Sequence, residues 1–80
     1  MKLPKQVKKI FLNNNCRLIA NNQGNLIVTF SAKIDEQEEA LITVNDGQVV
    51  LILGNCGREI YTMEKMVIDR TMVIGYEPIT

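Results

Sequence analysis

Three groups of residues have types and spacing that could do chemistry. The first is basic. Lys2, Lys5, Lys8, Lys9 and Arg17 are five of the nine cations, and no acid precedes Asp35. Together with Arg58 they are the candidate contacts for a phosphate or another anion. The plainer reading is a solvated charged face. The second group is acidic: Asp35, Glu36, Glu38 and Glu39 cluster where the basic run ends. A basic arm and an acidic loop on one chain could meet head to tail between copies. The third is Gly54-Asn55-Cys56-Gly57-Arg58. Glycines beside a cation can form a backbone nest for an anion, and a nearby guanidinium acidifies a thiol. The plainer reading is a hairpin turn with an incidental cysteine.

Several chemistries are excluded at once. The chain has no histidine, so it has no Ser-His or Cys-His nucleophile pair and no imidazole acid or base. Two cysteines cannot close a structural zinc site, which takes four N or S ligands. The acidic cluster lacks the bend glycine and distal glutamate of an EF-hand loop. Lys+Arg and Asp+Glu balance at 9 each, which argues against a domain held on nucleic acid by bulk charge. Of the aromatics, Phe11 and Phe30 fit core positions. Tyr61 and Tyr76 are left as stacking platforms for bases. The expectation is a protein that is not an enzyme, with no metal and no cofactor.

The elements that must position these groups follow from the apolar pattern. An 80-residue chain is one domain, here residues 1–80, with a basic arm over 1–15 and a β core over 16–77. Pro4 suits a first helical position. Leu3, Val7, Ile10 and Phe11 recur at helical spacing, so residues 4–12 are predicted as a short helix that Asn13-Asn14-Asn15 stops. From Cys16 the pattern becomes strands. Cys16 to Ala20 is one, Asn21-Asn22-Gln23-Gly24 a turn, and Asn25 to Lys33 a half-buried strand with Leu26, Val28, Phe30 and Ala32 on one face. Ala40 to Val44 and Gln48 to Leu53 flank Asn45-Asp46-Gly47, which reads as a tight hairpin with Gly47 at positive φ. Arg58 to Thr62, Met66 to Ile68 and Thr71 to Tyr76 follow, with Asp69-Arg70 a turn and Pro78 closing the last strand. The fold class expected is mainly β: a short N-terminal helix, then a six- to seven-stranded antiparallel meander closing into a small barrel or sandwich.

Val49 to Leu53 and Met72 to Ile74 are apolar on both strand faces, whereas a one-sided sheet alternates. A small domain covers two faces of a sheet with difficulty. Val50, Ile52 and Val73 are therefore the candidate interface of a homo-oligomer. No stretch has the length of a signal h-region or a membrane span, so a cytoplasmic protein with reduced cysteines is expected.

Two resemblances add to this reading. The stretch from Ile34-Asp35 through Leu51-Ile52-Leu53-Gly54 to Val73-Ile74-Gly75-Tyr76 resembles the YabP/YqfC type of small bacterial sporulation proteins in its rhythm of short strands and glycines. It covers about 60 residues by apolar and glycine spacing. Asn22-Gln23-Gly24 departs from an Asn-His-x-Gly element found in part of that family. The resemblance implies a role in a spore-associated assembly without catalysis. Ile52-Leu53-Gly54-Asn55, after a helix and Gly24 with Ile34-Asp35, looks like the second motif of the Sm fold, which implies an RNA-binding ring. Leu53 stands where that family has its RNA-clamping arginine, and Glu39 about where it has an asparagine, so no site residue carries over. The function expected is a non-catalytic bacterial β module that self-associates and binds another protein in a larger assembly. The alternatives are a nucleic-acid-binding barrel that uses the basic arm, and a small inhibitor or regulator of another protein, for example of phage origin. Partners expected are the chain itself and another protein, with nucleic acid second and no membrane.

Overall fold

A computed structural model of the chain describes residues 2–32, 38–55 and 57–80. It contains nine strands: β1 (Gln6–Val7), β2 (Lys9–Leu12), β3 (Cys16–Ala20), β4 (Leu26–Ala32), β5 (Glu38–Thr43), β6 (Val49–Leu53), β7 (Arg58–Tyr61), β8 (Lys65–Asp69) and β9 (Val73–Glu77). All pairings are antiparallel. The first sheet has the order β1-β4-β5-β8 and the second β7-β6-β3-β2-β9. One core joins them. Val7, Leu26, Ala40, Ile42 and Ile68 come from the first sheet, and Ile10, Leu12, Leu18, Ala20 and Val49 from the second.

The mainly β character agrees with the sequence. The N-terminal helix does not form, and no α-helix occurs among the described residues. The reason is visible in the spacing. Val7 and Ile10 are both buried although they are three residues apart, which a single strand forbids, since its side chains alternate with period two. The strand breaks at Lys8, between β1 in the first sheet and β2 in the second. The break resets the alternation and so mimics the i, i+3 recurrence of a helix. Beyond it, Ile10 and Leu12 face the core, and Phe11, expected inside, is exposed.

The closed barrel and the sequential meander are corrected as well. The sheets remain open, and their strand orders interleave distant segments. Asn45-Asp46-Gly47 is a turn, but it joins no hairpin. β5 pairs with β4 and β8, while β6 pairs with β3 and β7. The turn carries the chain from one sheet to the other. Turn chemistry reports a local reversal and is silent on the sheet each arm joins. Asp46, not Gly47, takes the positive φ, 54°. Gly47 sits close to the other crossing instead: a Cβ there would lie 3.1 Å from the Asn21 carbonyl oxygen, a tight contact. The Asn21 N–H donates to the Gln48 carbonyl at 2.8 Å, tying this crossing to the one at Asn21–Gln23.

The asparagine cluster takes left-handed backbone, as its composition suggests, but in the β2–β3 turn rather than at a helix end. Asn14 and Asn15 have φ of 62° and 58°, and the Cys16 N–H donates to the Asn13 carbonyl at 3.4 Å. Asn tolerates this region better than most residues with a side chain.

Candidate functional site

The basic residues are spread rather than gathered. Lys9 lies on the outer face of the second sheet, opposite Glu77 and Ile19, and its ammonium is 3.8 Å from the Glu77 carboxylate. Arg17 sits one row along, between Phe11 and Ile52, with Glu59 beyond Ile52. Cations and carboxylates thus interleave on this face. Lys2, Lys5 and Lys8 are exposed in and beside the break between sheets. Arg58 is exposed at the start of β7, opposite Leu53. Of the two tyrosines, Tyr76 lies half-buried against the core opposite Ile10. Tyr61 is 56% exposed on edge strand β7, and its hydroxyl donates to a Glu59 carboxylate oxygen at 3.2 Å.

The Gly54 motif contributes to an open cleft of about 390 Å³ lined by Phe11, Leu12, Asn15, Cys16, Arg17, Gly54, Asn55 and Ile74. Its polar groups are one guanidinium and two amides, a set that suits a small anion. Arg58 is absent from the lining. Cys56 lies outside the described residues, as do Asp35 and Glu36 of the acidic cluster. Its remaining members are held in β5. Glu38 accepts an ion pair from Arg70 Nε at 3.4 Å, and Glu39 stands opposite Asp69. Among the described residues no group of three His, Cys, Asp or Glu is arranged to hold a metal ion.

Val50 and Ile52, expected at an interface, are 2% and 6% exposed in the single chain. Val50 lies between Ile19 and Tyr61, and Ile52 between Arg17 and Glu59. Long side chains on flanking strands cover apolar neighbours with their stems. Val73 is half-buried against the core. One copy therefore hides Val49, Val50 and Ile52, while Leu51 and Leu53 stay half-buried, and Val50 and Ile52 leave little surface for a second copy.

The exposed apolar surface lies elsewhere, mostly at sheet margins. Edge strand β8 carries Val67, 55% exposed, in an outer-face row with Leu41 and Thr29. Under β8, Met66, Ile68 and Met72 open onto Leu12 and Leu51 across a cleft of about 130 Å³. Edge strand β9 carries Ile74. The pairs Phe11–Gly75 and Leu12–Val73 leave Ile74 without an opposite residue, so it bulges and stays exposed. Sequence reasoning did not single out Val67, and within Met72 to Ile74 it took Val73 rather than Ile74, because period-two patterning marks which side chains alternate, not which strand lies at an edge.

No protein-family model matches the chain, and no curated protein or solved structure is significantly similar to it. No helix among the described residues is long and apolar enough to cross a membrane.

Proposed function

We propose that the chain is a non-catalytic β module of the bacterial cytoplasm that self-associates and binds another protein within a larger assembly. The supporting observation is the placement of exposed apolar side chains. Val67, Ile74, Met63 and Ile60 are exposed outside the shared core, on or beside edge strands. An unpaired strand edge beside such a side chain offers backbone donors and acceptors that a partner can use. The spore-associated role implied by the sequence resemblance is of the same kind. Sedimentation velocity at micromolar concentration tests the self-association. A dimer or larger species is expected, and a stable monomer would sink that part of the reading.

A second reading rests on Arg17 beside Phe11 at the mouth of the Gly54 cleft. A cation next to an aromatic ring is a combination that single-stranded nucleic acid uses. Lys2, Lys5, Lys8, Lys9 and Arg58 would add phosphate contacts. Fluorescence anisotropy with a single-stranded oligonucleotide decides it. Binding at low salt that falls steeply with added salt supports it, and no binding at low salt removes it.

A further inference from the structure

We infer that the self-association surface is the free edge of β8, which pairs antiparallel with β8 of a second copy about a two-fold axis at Val67. This deepens the self-association proposed above and rests on it. β8 ends the first sheet, with β5 on one side and no strand on the other among the described residues. A strand pairing with itself in the antiparallel sense brings residue i opposite the residue equally far beyond the axis. With the axis at Val67, the sequence Lys65-Met66-Val67-Ile68-Asp69 is self-complementary. Lys65 meets the second copy's Asp69, Asp69 its Lys65, and Val67 its Val67, all on the outer face. Met66 meets Ile68 on the inner face, above the apolar cleft that those residues share with Leu12, Leu51 and Met72. The row of Thr29, Leu41 and Val67 then continues across the axis into an eight-stranded sheet.

The charge pattern singles out this edge. Antiparallel self-pairing joins only residues an even number apart. Lys65 and Asp69 are four apart and meet. On β7 the cation and carboxylate are the adjacent Arg58 and Glu59, which cannot be opposed in any self-paired register. On β9 the one charge is Glu77, and the bulge at Ile74 disturbs the ladder. β1 is two residues long. Opposite charges facing across a strand pair are favourable and like charges unfavourable, so β8 is the edge on which a second copy fits in register. Met63, 76% exposed, and Met72 flank the strand and extend the apolar contact beyond five residues.

Cysteine cross-linking and sedimentation test this together. In a chain whose Cys16 and Cys56 are replaced by alanine, Val67→Cys puts two thiols face to face. Directly opposed antiparallel residues have Cα atoms about 4.5–5.5 Å apart, within the span a disulfide bridges. Most of the chain is expected to oxidise to a dimer, while Thr29→Cys, two strands inward, stays monomeric on the same gel. Val67→Lys places two ammonium groups on the axis and should raise the dimer dissociation constant at least tenfold. Circular dichroism should be unchanged, since Val67 is exposed. A wild-type dimer that Val67→Lys leaves intact, with no Val67→Cys cross-link, overturns the β8 pairing and leaves self-association through another surface. A wild-type monomer throughout the micromolar range overturns both.

Discussion

Gly54 lies directly against Asn15. A Cβ built on Gly54 would overlap the Asn15 carbonyl oxygen and stand 2.8 Å from the Asn15 Cβ. The β6–β7 turn and the β2–β3 turn therefore touch backbone to backbone. The obstacle is main chain, which cannot swing aside as a flexible side chain can. Gly54→Ala should destabilise the fold by about 1–3 kcal/mol, the range for overpacking. A lower urea midpoint at unchanged slope checks this. A midpoint equal to wild type would mean that the two turns separate at little cost.

Asp69 ends β8 and starts the 3-10 turn at Arg70–Met72. Its Oδ1 accepts from the Thr71 N–H and from the Thr71 hydroxyl, both at 3.0 Å. Asp69→Ala removes that cap and should cost about 1 kcal/mol. Asp69→Asn keeps an acceptor oxygen and should cost less in the monomer. The two variants therefore differ in thermal midpoint. In the proposed β8 pairing the same Asn variant removes the charge that would face Lys65, so it should weaken that dimer more than the fold.

Arg70 makes two contacts at once. Its Nε is 3.4 Å from Glu38, and its guanidinium lies 5.7 Å from the Phe30 ring centroid. The ion pair is partly exposed and contributes little alone, and the ring contact adds about 0.5–1 kcal/mol. Arg70→Lys keeps the charge but loses the planar group that lies over a ring. A loss of about 0.5 kcal/mol is expected for Lys and about 1 kcal/mol for Ala. A double-mutant cycle with Phe30→Leu isolates the ring contact.

Leu18 is fully buried in β3, among the largest such side chains. Leu18→Ala should cost about 2–5 kcal/mol, enough to unfold much of a small domain with marginal stability. Val67→Ala should change monomer stability by no more than about 0.5 kcal/mol, since surface positions are tolerant. Denaturation of both variants at low protein concentration separates core from edge.

Much of the local structure was legible in the sequence, and its failures share a cause. Cys16 to Ala20, the Leu26-Val28-Phe30 face and the stop at Pro78 all appear where alternation and turn chemistry placed them. Those signals act within a few residues. The helix at 4–12 failed because a strand that switches sheets at Lys8 imitates helical spacing. The hairpin at Asn45–Gly47 failed because pairing partners are chosen over long distances. Val50 and Ile52 were expected to need a partner because their burial depends on neighbours on β3 and β7, which the strand's own residues do not specify. Of the candidate site, the Gly54 turn could be read from its glycines. Its opposition to Asn15 and Arg17 could not, since those residues lie about 40 positions away.

The alternation between sheets reaches further than topology. The chain passes from one sheet to the other at Lys8, at Asn21–Gln23, at Asn45–Gly47, between β7 and β8, and at Arg70–Met72. No contiguous fragment holds either sheet intact, so neither layer can be cut out as an autonomous piece. Melting should consequently be all-or-none, and slow amide exchange in the two layers should be lost at one common free energy. A nick at any crossing would leave two halves that keep their shape only while they remain interlaced.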